Sequence, residues 1–199
     1  MRRKSVAALL GIGLLAGGAT TFHRDSSSRV FAALPAPPRE IPVGTRLPPL
    51  VLTDDRGQAV PLSSLRGAPT VLLFFRAASC PSCRAQLTAF AAAAAKFRAA
   101  GVEVVASSPD SPETLADARE RLHLPMRLLS DTDEQAVSLL CGGLAHCELL
   151  ADARGVIRWG AFSETWSRVP PPETLAEAAR QLPPAGSRTT VLARAQQAP

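Results

Sequence analysis

Val71-Leu72-Leu73-Phe74-Phe75 is an unbroken apolar run, and five residues beyond it a pair of cysteines opens an alanine-rich stretch. A run without polar alternation is a strand covered on both faces, so the chain needs helices above and below a sheet. From Pro81 to Ala100, Leu87, Phe90, Ala94 and Phe97 fall at steps of three and four, which is one face of a helix. Strand running directly into helix is the unit of an α/β sheet, and the remaining segments alternate in the same manner. Leu50 to Thr53 and Gln58 to Pro61 flank Asp54-Asp55-Arg56-Gly57, predicting a hairpin. Gly101 ends the long helix and Val102 to Ala106 gives the next strand. Ser111-Pro112 opens a helix toward Leu122, Met126 to Leu129 is a short strand, and Asp133 to Leu140 is a helix stopped by Gly142-Gly143. Cys147 to Ala151 and Val156 to Gly160 form a second hairpin around Asp152-Ala153-Arg154-Gly155, and Pro172 to Leu182 is the closing helix.

A chain of 199 residues with 46% apolar composition supplies one core rather than two. The formal charge of +5 owes three units to Arg2, Arg3 and Lys4. What is left is spread along the chain with neither a basic run nor interleaved aromatics, which argues against a nucleic-acid surface. Residues 1–22, a basic start followed by the uncharged stretch Ser5 to Phe22, have the layout of a secretory signal peptide and are nearly long enough to be an uncleaved membrane anchor. Both alternatives put the rest of the protein outside the cytoplasm, periplasmic or anchored facing outward, where disulfides persist. Residues 23–42 are expected to be a Pro/Ser-rich tether, 43–182 the folded domain and 183–199 a flexible tail.

Cys80-Pro81-Ser82-Cys83 lies where the apolar strand gives way to the long helix. At the carboxyl ends of strands in open α/β sheets, reactive groups collect. Unpaired amides and the positive end of the helix dipole stabilise a thiolate there, and the thiolate is the nucleophile. Pro81 costs nothing in the first turn, because its missing N–H would have no helical partner. The two-residue spacer lets a disulfide close and reopen with little backbone movement. A CxxC can also be half of a zinc site or an inert disulfide, but the strand-to-helix placement favours redox use.

Leu62 to Gly67, Val71 to Arg76, Cys80 to Leu87, Val102 to Asp110 and Leu129-Ser130-Asp131 together resemble the peroxiredoxin-like branch of the thioredoxin superfamily, also called the alkyl hydroperoxide reductase and thiol-specific antioxidant, or redoxin, family. The resemblance runs from about Val43 to Leu182. It implies a thioredoxin-like fold, a central mixed sheet flanked by helices with an N-terminal β-hairpin extension. It also implies thiol-disulfide exchange or hydroperoxide reduction with no bound cofactor, and a thiol/disulfide protein or a small hydroperoxide as partner. Aligned to peroxiredoxins, Cys83 takes the position of the peroxidatic cysteine, Cys80 replaces a Thr, Arg76 replaces a Pro, and His146 stands where an Arg polarises the peroxide. Aligned to thioredoxin-like reductases, Cys80 attacks and Cys83 resolves, and His146-Cys147 stands where a cis-proline would face the pair.

Cys141 and Cys147, six positions apart across a glycine-rich loop, form either a structural disulfide, a thiol relay to Cys80 and Cys83, or part of a metal site. His146 is a candidate for holding a peroxide oxygen, for proton transfer, or for joining Cys80 and Cys83 in a copper-delivery module that works without turnover. Arg76 and Arg84 flank the pair and are candidates for lowering a thiol pKa. Trp159 and Trp166 are expected to be packing residues.

Overall fold

The structure, a computed structural model, describes Leu34 and residues 41–144, 146–162 and 170–182. Its strands are β1 (Val51–Asp54), β2 (Ala59–Pro61), β3 (Thr70–Phe74), β4 (Glu103–Ser108), β5 (Arg127–Ser130), β6 (Cys147–Ala151) and β7 (Ile157–Phe162). Helices are α1 (Pro81–Ala92), α2 (Ala94–Ala99), α3 (Pro112–Leu122), α4 (Gln135–Cys141) and α5 (Pro172–Arg180), with a 3₁₀ turn at Leu62–Leu65. One mixed sheet has the order β2-β1-β5-β4-β3-β6-β7. Its centre, β3, β4 and β5, is parallel; β6 and β7 run antiparallel on one side, and the β1–β2 hairpin closes the other through β5. The α/β expectation, hairpin extension included, is what the chain forms.

Strand β3 is buried along its whole length, and its side chains alternate between two cores. Val71, Leu73 and Phe75 join Leu87, Phe90, Leu115 and Leu175 on one face of the sheet. Leu72 and Phe74 join Leu62, Leu129, Leu140 and Leu149 on the other. Each fully buried Leu or Phe contributes about 1.5–3 kcal/mol of transfer free energy, so this strand is where the two layers are fastened together. Trp159 belongs to the first of these cores, whereas Trp166 lies outside the described residues.

Two helix expectations are corrected. The helix drawn from Pro81 to Ala100 is interrupted at Ala93, which has φ −84° and ψ 0°. Phe90 and Phe97 explain the break: in a continuous helix their Cα atoms would stand about 10.5 Å apart along the axis, yet their rings stack with centroids at 5.6 Å. Ala91 to Ala95 favour a continuous helix, so the break runs against local propensity. The next correction concerns α4, which begins at Gln135 and not at Asp133. Glu134 is left-handed at φ 54°, and the Asp131 carboxylate takes the amides of Ala136 and Val137 at 3.0 and 2.9 Å, serving as the helix cap. At its far end Gly142, at φ 62°, closes the helix as expected.

The folded unit also starts before residue 43. Ile41 is buried in the second core, and Gly44 donates to the Ile157 carbonyl at 2.8 Å. Ile41 lies over β7 because Gly160 leaves room for it. A Cβ at Gly160 would stand 2.6 Å from Ile41 Cγ2 and 2.6 Å from Leu149 Cδ2. Residues 1–33 and 183–199, the expected signal or anchor and the tail, lie outside the described residues, as does most of the 23–42 tether. Among the described residues no helix is long and apolar enough to cross a membrane. Gly160→Ala is expected to lower stability by about 1–3 kcal/mol, read as a lower urea midpoint at unchanged slope; an unchanged midpoint would show that Ile41 does not pack there.

Candidate active site

Beyond Phe74 the chain keeps one more sheet bond, Phe75 N–H to the Ser107 carbonyl at 2.9 Å, and then turns through Arg76 to Ser79. Asp110 holds this turn from outside. Its Oδ2 accepts from the Ala78 amide at 2.7 Å and the Ser108 hydroxyl at 2.8 Å, while its carbonyl accepts from Ser130 Oγ at 2.7 Å. Cys80 is thereby fixed as the N-cap of α1, extended at φ −71° and ψ 123°, with Pro81 in the first turn. No acidic residue stands in that turn, so nothing competes with sulfur for the first amides.

The two sulfurs are chemically unequal. Cys80 keeps 6% of its surface open, and Cys83 keeps none. The Ser82 hydroxyl, 3.1 Å from Cys80 Sγ, leads in lowering the Cys80 thiol against the opposing effect of burial. The Cys83 thiol and backbone, and Arg76 Nη2 at 3.4 Å, add to it, and the thiol falls from 9.0 to about 6. Burial pushes the Cys83 thiol the other way. At neutral pH the pair therefore holds one thiolate at the edge of the core and one fully enclosed thiol.

Arg76 also touches the fate of His146. Burial, and then the positive charge of Arg76, lower the His146 pKa, so the ring is neutral at pH 7 and does not supply the cation expected of an arginine in its place. His146 itself has φ 147°, a backbone strained for a residue with a side chain. No peptide bond among the described residues is cis. Arg84 is exposed on α1.

Cys141 and Cys147 form a disulfide, with Cα atoms 6.1 Å apart, that ties the end of α4 to the start of β6. Both are fully enclosed in the second core, with Phe74 and Leu149, whereas Cys80 and Cys83 lie in the first. The sheet separates the two pairs. The relay geometry is thus not the one the chain adopts: Cys147 points away from the face that carries Cys80. Nor do Cys80, Cys83 and His146 gather as a metal site, for among the described residues no three His, Cys, Asp or Glu side chains are grouped to hold an ion. The copper-delivery reading has no support.

Three residues of this region were not singled out from the sequence. Ser82 lies inside the motif, where it looks like a spacer. Asp110 is 32 positions from Ala78, its partner. Glu148 is a charged residue in the apolar run Cys147-Glu148-Leu149-Leu150-Ala151, a signal that was there to be read. It pairs with Leu73 across the sheet, is 1% exposed, and accepts from Gln86 Nε2 of α1 at 2.7 Å. Burial raises its pKa to about 8, only partly offset by that bond.

The mixed sheet, the cysteine at a helix N-terminus and the enclosed second thiol define a thioredoxin-like dithiol protein. The AhpC/TSA family model matches residues 43–159, more than half of the chain, and the chain belongs to that family. Chloroplastic peroxiredoxin Q of Sedum lineare is 41% identical over 88 residues, covering 44% of this chain and 47% of that protein. The same enzyme of Populus jackii is 34% identical over 119 residues, 60% of this chain and 54% of its own. The chain thus spans about half the length of the curated relatives it matches. Among solved structures, peroxidoxin BcpB of Mycobacterium tuberculosis superposes with a TM-score of 0.59 at 23% identity, over 70% of this chain and 94% of that one. Peroxiredoxin Q of Xanthomonas campestris gives 0.58 at 20%, over 71% and 97%. These establish the shared fold.

Alkylation of Cys80 by iodoacetamide is expected to follow the thiolate, full above pH 6 and lost as pH falls through about 6. Ser82→Ala is expected to move that midpoint upward; an unmoved midpoint would remove Ser82 from the account. Glu148 gives a second pH dependence of opposite sign. Its folded pKa lies above the ordinary 4.5, so stability is fullest below 4.5 and declines as pH rises toward 8. The loss is on the order of 4 kcal/mol. Glu148→Gln is expected to flatten this decline in urea titrations run across that range, and an equal decline in the variant would show that another group causes it.

Proposed function

We propose that this protein is a dithiol oxidoreductase in which Cys80 attacks and Cys83 resolves, acting by thiol-disulfide exchange outside the cytoplasm. One observation carries the assignment: the less enclosed sulfur is the activated one, with Ser82 at 3.1 Å and Arg76 at 3.4 Å, while the sulfur in the peroxidatic position is fully enclosed and held as a thiol. In the first step the Cys80 thiolate attacks one sulfur of a substrate disulfide. The S–S bond breaks, the other sulfur leaves as a thiolate with the bonding pair, and a mixed disulfide joins Cys80 to the substrate. Cys83 then attacks Cys80 Sγ, and its proton passes to the departing substrate thiolate. Cys80–Cys83 ends oxidised and the substrate ends reduced by the same two electrons.

Hydroperoxide reduction is a second reading, favoured by Arg76. Its guanidinium lies beside Cys80 Sγ, where it can hold a peroxide oxygen as the thiolate attacks. The relatives named above carry peroxiredoxin names, which supports this reading as well. Location outside the cytoplasm is supported by the signal-like start of the chain and by the Cys141–Cys147 disulfide, a bond that persists in oxidising compartments.

Cys83→Ser is expected to trap a mixed disulfide on Cys80 when the reduced protein meets a disulfide substrate, detected by intact-mass spectrometry. Cys80→Ser is expected to abolish exchange, because the attacking sulfur is gone. A substrate adduct or sulfenic acid that forms on Cys83 in the Cys80 variant would reverse the roles and return the protein to peroxidase logic.

A further inference from the structure

Beside the first turns of α1 lies a cavity of about 370 Å³, within the range of small-ligand sites. Ser82 is at its edge, Ala89, Phe90 and Pro170 give it apolar walls, and Gln86 with Glu148 forms its polar part. Ser82 connects this space to the chemistry, because its hydroxyl is 3.1 Å from Cys80 Sγ. A molecule bonded through sulfur to Cys80 can therefore continue past Ser82 into the cavity.

The polar part is unusual for an enclosed wall. Gln86 Nε2 donates to Glu148 Oε1, and among the described residues neither Glu148 Oε2 nor Gln86 Oε1 has a hydrogen-bond partner. Burial keeps the carboxyl protonated at neutral pH. The pair thus leaves one donor, the Glu148 Oε2 hydroxyl, and one acceptor, Gln86 Oε1. Turning the amide over exchanges the roles and again leaves one donor and one acceptor. An alkyl chain entering here would leave both groups unpaired, which is costly. One residue of an extended segment, whose own N–H and C=O face the same side, satisfies both.

We propose that this cavity is a peptide subsite, in which an extended segment next to the reacting cysteine of a protein disulfide places the C=O and N–H of one residue on Glu148 and Gln86 and an apolar side chain against Phe90 and Pro170. The inference rests on the exchange reading above and names its substrate class. It makes Gln86 and Glu148 specificity-determining residues, distinct from the sulfurs and from Arg76.

The test uses the full chain, pre-reduced, in single turnovers with two probes. One is the mixed disulfide of the peptide Gly-Ala-Cys-Ala-Gly with thionitrobenzoate; the other is the symmetrical nitrobenzoate disulfide, which has no amide. Release of the coloured thiol gives a rate for each, and the readout is the ratio of peptide to aromatic rate. Ala89→Phe, which fills the cavity from an exposed position of α1, is expected to lower the ratio about tenfold, the value of one good hydrogen bond. Glu148→Leu is expected to lower it similarly, and Glu148→Gln, which keeps a donor and an acceptor, to hold it within about twofold. An unchanged ratio in Ala89→Phe overturns the subsite, even if Glu148→Leu does not fold. So does a fall in cumene hydroperoxide reduction by Ala89→Phe with the ratio intact, since the cavity would then take alkyl chains. Retained reaction with both probes in Cys80→Ser would instead overturn the exchange reading itself, and the subsite with it.

Discussion

Burial of β3 on both faces is the constraint from which the rest follows. A strand of alternating Val, Leu and Phe that contacts two cores must sit at the centre of the sheet, and its end must open directly onto a helix above one face. The alternation continues along its antiparallel neighbour β6, where Cys147 points to one core and Glu148 to the other. The sheet is therefore a partition between two kinds of sulfur. One face holds a disulfide shut away among Leu and Phe side chains, and the other holds a dithiol at the head of α1. One pair is bonded to itself, whereas the other is free and has Ser82 and Arg76 beside the Cys80 sulfur.

On the reactive face, electrostatics is organised around Arg76. Sequence comparison by residue type puts an arginine-bearing position at His146, but enclosure and the neighbouring guanidinium keep that ring uncharged. The positive charge is supplied from the end of β3, beside the start of β6. Arg76 bonds Cys80 Sγ, which agrees with the inequality between the two thiols. Ser82 completes the arrangement from within the motif.

The layers, both hairpins and the placement of Cys80-Pro81-Ser82-Cys83 were legible because each is written locally, in an apolar run, a turn tetrapeptide or a proline after a cap. The break at Ala93 was not, since a string of alanines favours a helix and the cause is stacking of Phe90 on Phe97. The parity that sends Cys147 away from Cys80 was hidden for a different reason: it depends on the register between β3 and β6, Phe74 opposite Cys147, which no local pattern encodes. The Gln86–Glu148 contact joins residues 62 positions apart and needs the same register. Charge in a buried run announced Glu148, but not its partner.

The depressed Cys80 thiol has a consequence for what the two redox forms look like to other molecules. With a pKa of about 6, the reduced protein carries an anion at pH 7 in roughly nine molecules of ten. Closing the Cys80–Cys83 bond erases that charge and leaves Arg76 without its counter-ion, at an exposed position on the rim of the site. The oxidised surface is thus more positive by nearly one unit at the point of docking. On the exchange reading proposed above, an acidic partner that delivers electrons would meet a more attractive face before the reaction than after it.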